Sequence, residues 1–242
     1  MGTREEKVHY TELLPHEFRK RLRAKPIAYL PLGTLEWHGP HLPLGSDSIQ
    51  SEGLMVACAR QLGGIVMPPL YLGPDQAIST QHGQTFYGMD ALPDTLPPQQ
   101  LPGSCYWVSN GFFKLLIDTI LIQLKRAGFK GVFADGHGPS RWSWVKDIPE
   151  REARFGMKLF GVTSDITRKW KYQIDHAGRN ETSIMLALRP DLVDQSKLPE
   201  DPSTPPERIL GKDPRHATDK LGKQYLNAAI NILNEQFAKA GL

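Results

Sequence analysis

No stretch of this chain approaches the roughly 20 consecutive apolar residues that a bilayer-spanning helix needs. The opening residues, Met1 to Tyr10, are charged and lack the apolar centre of a secretory signal. Cysteine is scarce. Cys58 and Cys105 lie far apart without CxxC spacing, which leaves no thiolate pair for a structural zinc site and fits a reducing compartment. Charge of one sign is also missing: 29 Lys and Arg against 26 Asp and Glu leave +3, too small and dispersed an excess for nucleic-acid binding. The densest basic run, Arg19 to Lys25, reads as a solvated helix end. There is no internal repeat. These absences predict a cytoplasmic protein with neither nucleic acid nor membrane among its partners.

What remains is a chain of 242 residues, long enough to bury one large core, so residues 1–242 are read as a single domain. A short helix over Tyr10 to Phe18 leads into an apolar strand, Pro26 to Leu32. A helix over Ser48–Leu62 stops at Gly63-Gly64, and Ile65-Val66-Met67 forms a second strand. Residues 70–110 lose all periodicity. An aromatic-bearing excursion of that length suits a lid or an interface arm. Order returns with an apolar helix from Phe112 to Leu124, a strand at Gly131–Asp135, a helix carrying Trp142 and Trp144, and a strand at Lys158–Thr163. A short helix ends at Leu188, a polar surface loop spans Asp191–Pro214, and a final helix runs from about Thr218 to Ala240. Strands alternating with helices predict an α/β fold with a mostly parallel sheet covered on both faces.

The chemistry concentrates after the first strand. The fifteen residues Gly33–Asp47 hold Glu36, His38, His41 and Asp47 among three glycines and two prolines. Glu36 and His38, two apart, point to one face of an extended segment, and Asp47 follows a turn stiffened by Pro40 and Pro43. His137 sits between two glycines at a strand end, and His176 with Glu181 forms a third cluster before a helix. Such a carboxylate and imidazole set suits zinc, manganese or iron, and an aspartate can bridge two ions. Water held between two ions loses its proton near neutral pH, and a nearby histidine or carboxylate can carry that proton to a leaving nitrogen. Blander readings stand beside these. Glu36, His38 and Asp47 can brace a tight loop, His137 and His176 can be structural histidines, and Glu181 can be a helix-start acid. His41 suits a role orienting a ligand. His82 suits the surface as well as the pocket, and Trp142, Trp144 and Trp170 suit core or subunit contact.

Three motifs then carry a family resemblance. Glu36-Trp37-His38-Gly39-Pro40-His41-Leu42-Pro43-Leu44-Gly45-Ser46-Asp47 resembles the signature of the creatininase (creatinine amidohydrolase) family. Gly136-His137-Gly138 resembles its second motif, and His176-Ala177-Gly178-Arg179-Asn180-Glu181-Thr182-Ser183 its third. The resemblance implies a three-layer α/β/α sandwich, a two-metal centre, hydrolysis of cyclic or linear amides, and a homo-oligomer, commonly a hexamer. It implies Glu36, His38, Asp47 and His137 as metal ligands, with Asp47 bridging and Glu181 completing the site. It implies His176 in proton transfer or substrate contact, so His176 and Glu181 are the expected catalytic pair.

The departures point to a divergent member rather than creatininase itself. In creatininase a glutamate two residues after the second-motif histidine is a ligand, and here Pro139 stands there. Arg179 replaces a usual acid, which would add positive charge near the mouth and favour an anionic substrate. The expected function is metal-dependent hydrolysis of a C–N bond in a small amide, with two zinc, manganese or iron ions per chain. The alternatives are a lactonase or isomerase acting on a sugar-acid-like substrate, or a binding or assembly protein with a degenerate metal site.

Overall fold

The apolar run after Pro26 forms strand β1 (Ile27–Leu32), buried at every position. Burial on both faces is what the centre of a parallel sheet demands. The computed structural model of the chain describes residues 6–79, 83–92, 99–162 and 175–242. Before β1, a 3₁₀ turn (Tyr10–Glu12) and helix α1 (Pro15–Ala24) replace the single helix expected there. Pro15 holds Leu14 in an extended conformation, which breaks the helix. The basic run is not wholly solvated. Arg21 donates to the carbonyls of Ala59 (2.9 Å) and Gly64 (3.0 Å), satisfying acceptors around the end of the next helix.

That helix, α2 (Ser46–Leu62), is followed by β2 (Ile65–Val66). The excursion contains two antiparallel pairs, β3 (Ala77–Ser79) with β4 (Thr85–Tyr87) and β5 (Ala91–Leu92) with β6 (Gln99–Gln100). Strands of two or three residues are too short for a period of two to be read in sequence. The excursion returns onto the loop after β1, where the Cys105 N–H donates to Leu35 O (2.8 Å) and the Trp37 N–H to Ser104 Oγ (3.0 Å).

Helix α3 (Asn110–Ala127) precedes β7 (Gly131–Gly136). The next helical stretch is split into α4 (Gly138–Lys146) and α5 (Ile148–Phe155), with Pro149 opening the second. Strand β8 covers Lys158–Phe160, shorter than expected, and Thr163 lies outside the described residues, as do His82 and Trp170. Helices α6 (Arg179–Leu188) and α7 (Asp219–Lys239) complete the chain.

The central sheet runs β2-β1-β7-β8, every pair parallel. Ile27, Tyr29 and Phe133 face a core built with α2, α6 and α7. Ala28, Leu30, Leu32, Val132 and Ala134 face a second core built with α3, α4 and α5. This alternation makes three layers, as expected of an α/β/α sandwich. Cys58 is a buried core residue and Cys105 is exposed; both are free thiols.

Candidate metal centre

The strand register sets the site. Leu32, the last residue of β1, pairs with Gly136, the last of β7, and the His137 N–H donates to Leu32 O (3.1 Å). Gly136 has φ +144°, and a Cβ there would lie 1.7 Å from Leu32 O, so only glycine permits the two strand ends to close this tightly. His137 and the Gly33–Asp47 loop therefore emerge side by side at the carboxyl end of the sheet, where open α/β folds bind their ligands.

Around this point six of the expected residues converge. Three groups can each offer ligand atoms lying within 4.8 Å of one another: Glu36, Asp47 and His137; His38, Asp47 and Glu181; and Glu36, His38 and His176. Asp47 occupies the first turn of α2, and Glu181 the first turn of α6. His38 Nε2 lies 3.6 Å from Asp47 Oδ2 and 4.0 Å from Glu181 Oε2. His137 Nε2 lies 3.6 Å from Glu36 Oε1, and His176 Nδ1 3.9 Å from the same oxygen.

Backbone carbonyls fix two of the imidazoles. His38 Nδ1 faces Glu36 O at 3.1 Å, and His176 Nε2 faces Trp37 O at 2.7 Å. A carbonyl only accepts, so each of these nitrogens carries the proton. In its neutral form each ring turns a lone pair, His38 Nε2 and His176 Nδ1, into the cluster. His137 Nδ1 pairs with Ser140 Oγ at 3.0 Å. His41 is tied by Nε2 to Thr182 Oγ1 at 2.8 Å, so it steadies the start of α6 beside Glu181 rather than bonding a candidate ligand directly.

Burial sharpens the electrostatics. Burial raises Glu36 well above the usual carboxylate range, with the charge of Asp47 adding to it. Burial likewise lifts Glu181 to about 8. For His38 burial acts downward, but the carboxylates of Asp47, Glu36 and Glu181 outweigh it and lift the imidazole to about 10. Asp47 is held below its usual range because His38, His137 and His176 outweigh its own burial. Burial, then the charge of His38, pushes His176 down to about 3. His38 Nε2 and Asp47 Oδ2 are buried polar atoms without a hydrogen-bond partner. Groups so placed normally have one. A divalent cation fits both the donor set and the orphaned atoms.

The cluster forms the floor of a cavity of about 500 Å³. Two features of its wall were not legible in the sequence. Asp75, from the excursion, places Oδ2 3.7 Å from His137 Nε2. Arg208, from the loop expected to be mere surface, lines the cavity in a left-handed conformation (φ +53°) and donates to Met89 O (3.3 Å). Arg141, also in the wall, is ion-paired with Asp135. Arg179, expected near the mouth, is not among the described residues of the wall; its backbone N–H donates to Lys212 O (2.8 Å). Trp144 is core, whereas Trp142 is exposed and lines the cavity.

Known proteins resemble this chain in sequence and fold. The chain is 29% identical over 225 residues to the creatinine amidohydrolase of Pseudomonas putida, covering 84% of this chain and 81% of that one. It is 25% identical over 207 residues to a 3-dehydro-scyllo-inosose hydrolase of Thermotoga maritima (78% and 58% covered). It is 24% identical over 199 residues to a mycofactocin precursor peptide peptidase of Mycobacterium ulcerans (76% and 67% covered). A crystal structure of creatinine amidohydrolase superposes with a TM-score of 0.72 at 20% identity over 98% of both chains. A manganese form of creatininase superposes at 0.69 and 22% identity, covering 97% of this chain and 99% of that one. The family profile for creatinine amidohydrolase matches residues 11–237. The chain belongs to the creatininase family.

Proposed function

We propose that this chain is a metal-dependent hydrolase that cleaves the C–N bond of a small cyclic or linear amide, using about two divalent ions of zinc, manganese or iron. The observation that carries this reading is Asp47, common to two of the candidate ligand groups and buried with Oδ2 unpartnered beside an equally unpartnered His38 Nε2. Glu36, Asp47 and His137 would hold one ion, and His38, Asp47 and Glu181 the other. The ions would supply Lewis-acid polarisation of the scissile carbonyl and an acidified water.

The chain's own residues do the rest. His176, neutral and proton-bearing at Nε2, keeps Nδ1 free to accept a proton and pass it to the leaving nitrogen. The bond it donates to Trp37 O fixes its ring. The Ala177 N–H donates to Glu181 Oε2 (2.7 Å), so Glu181 is positioned by its own loop before any ligand arrives. Ile78, Met89, Trp142 and Leu210 give the cavity an apolar wall. Arg208 supplies a cation to an anionic substrate group, the part first expected of Arg179.

Metal analysis of the purified protein and a panel of cyclic and linear amides test the reading together. Bound transition metal with release of amine or ammonia is the expected result, and both should vanish in Asp47→Ala. A folded protein that takes up no divalent metal overturns it. The Thermotoga relative, a hydrolase of 3-dehydro-scyllo-inosose, favours a second reading in which the same site handles a sugar-like ring; lactone turnover without amide turnover would select it.

We also infer a homo-oligomer, a hexamer by resemblance, in the cytoplasm. Phe112, Leu115 and Ile122 are 49, 66 and 47% exposed at helical spacing along α3. Such a stripe suits a second copy of the chain, and light scattering after gel filtration checks it. Among the described residues no helix is long and apolar enough to cross a membrane.

A further inference from the structure

We propose that Trp142, Leu210 and Arg208 form a substrate subsite for an N-acyl amino acid with a large apolar side chain. Trp142 and Leu210 take the side chain, Arg208 takes the carboxylate, and the amide lies over the acids and imidazoles of the floor. The proposal rests on the hydrolase reading above, whose substrate it narrows.

Arg208 is a wall cation that the fold leaves without a counter-ion. The other charged groups of the wall are answered. Arg141 pairs with Asp135. Asp175 accepts from the N–H groups of Asn180 (2.8 Å) and Glu181 (3.1 Å), and Asp75 accepts from the Gln76 N–H (2.7 Å) and faces His137. Among the described residues Arg208 makes no ion pair, and its hydrogen bonds go to Met89 alone. Nε donates to the main-chain oxygen (3.3 Å) and Nη2 to the thioether sulfur (3.4 Å), a weak acceptor. The rest of the guanidinium's five N–H donors stay open to a carboxylate.

The segment is built to hold it there. Ile209 packs against the small core of Leu42, Ala177 and Met185, and its neighbours Arg208 and Leu210 both line the cavity. Leu210 is tied to His176 by main-chain bonds of 2.8 and 2.9 Å in the two directions. Three described non-glycine residues have a left-handed backbone, and two of them, Ala177 (φ +51°) and Arg208 (φ +53°), flank that pairing. Backbone held in so sparse a region persists only where its surroundings over-determine it, and such positions cluster at ligand sites.

The apolar half lies beside it. Trp142, Leu210 and Ile78 line the same cavity while 61, 55 and 52% exposed. They come from α4, from the segment after Arg208 and from β3, so three separate elements leave large apolar groups open around one space. Such a wall fits an apolar ligand group. The volume of about 500 Å³ falls in the range of about 300–1,000 Å³ that encloses a drug-sized ligand, far more than a five-membered cyclic amide fills. An unpaired cation and an apolar wall above a floor suited to amide cleavage outline an N-acyl amino acid. One water would split it into a carboxylic acid and the free amino acid, the acyl carbon gaining the hydroxyl and the nitrogen the proton.

Two measurements on the full chain test this. In the first, 3-phenylpropionate, which has the ring and the carboxylate but no amide to cleave, is titrated calorimetrically beside propionate and 3-phenylpropionamide. Wild type should bind it at least about 10-fold more tightly than either. Trp142→Ala should abolish the preference over propionate and Arg208→Gln the preference over the amide, while Trp142→Phe and Arg208→Lys should each restore part of it. Circular dichroism establishes that each variant is folded, and Arg208→Met replaces Arg208→Gln if the latter is not. In the second, kcat/KM for N-acetyl-L-phenylalanine should exceed that for N-acetylglycine at least about 10-fold, a ratio that should collapse in Trp142→Ala. Equal binding of the three probes, or a preference that survives both substitutions, overturns the subsite, even where amides are cleaved. Discrimination in binding without cleavage of any amide leaves the subsite standing and overturns the hydrolase reading instead.

Discussion

Loading the centre should expel protons, and the number can be worked out from the site. Without metal, His38 is lifted to about 10 by the carboxylates around it, and Glu181 to about 8 by its burial. Both therefore carry a proton at neutral pH, and both must lose it to bind an ion. At pH 7 displacing the His38 proton costs on the order of a few kcal/mol and the Glu181 proton less, because His38 is lifted further above neutrality than Glu181. The logarithm of the apparent metal affinity should rise with a slope of at least about two per pH unit between about pH 6 and 7.5, falling by about one once Glu181 ionises on its own above about pH 8. Stability follows the same sign. Glu181 and His38 both have folded values raised above their ordinary 4.5 and 6.5. Their contribution to the metal-free protein is complete below those ordinary values and is lost as pH rises toward 8 and 10. Metal should therefore raise the melting temperature more at pH 8 than at pH 6. Calorimetric titration with Zn²⁺ or Mn²⁺ in two buffers of different ionisation enthalpy counts the protons directly, and Glu181→Gln should lower the count by one. Heats independent of buffer, with an affinity flat across pH, would refute the reasoning.

Other predictions follow from single contacts. His41→Phe and Thr182→Val should each destabilise the fold, with a coupling of about 0.5–1.5 kcal/mol in a double-mutant cycle by chemical denaturation. Strict additivity would show that the 2.8 Å bond contributes nothing. A Cβ at Gly222 would lie 1.9 Å from Ser183 O, so Gly222→Ala should push α7 off α6. The cost should be about 1–3 kcal/mol, seen as a drop of about 2–4 °C per kcal/mol in thermal melts. An unchanged melting temperature would contradict so close a crossing. Arg208→Ala should raise KM about 10- to 100-fold for amides bearing a carboxylate and leave neutral analogues alone. Equal effects on both would remove Arg208 from substrate recognition.

The residues that carry their signal locally were the ones readable in sequence. β1 is a continuous apolar run because both its faces are buried, and the Glu36 to Asp47 loop is dense in ligand types over a few residues. His137 and Glu181 were legible because each stands at a strand end or helix start that punctuates the pattern. Asp75 and Arg208 carry no such mark. Each sits in a proline-bearing segment without periodicity, and each reaches the cavity only because that segment folds back. Asp75 arrives through the return of the excursion, where the Val108 N–H donates to Gly73 O (2.9 Å). Arg208 arrives through the pairing of Leu210 with His176, N–H to O at 2.8 and 2.9 Å in the two directions. The His41–Thr182 bond spans 141 positions. Contacts of that range are set by topology, which local pattern does not encode. Arg179 is legible by its place in the motif, yet among the described residues it is Arg208, not Arg179, that lines the cavity.

The closure of β1 on β7 at Leu32 and Gly136 has one further consequence. Much of the entropy of gathering Glu36, His38, Asp47 and His137 into one pocket is met when the sheet forms, since main-chain bonds, not the ions, hold the two strand ends together. An ion that entered would find these four donors already assembled and would lose less of its binding energy to ordering the chain. Metal exchange can then proceed on a folded scaffold. Amide hydrogens of β1 and β7 should stay protected from solvent exchange whether the centre is filled or stripped, so one chain can trade zinc for manganese without passing through an unfolded state.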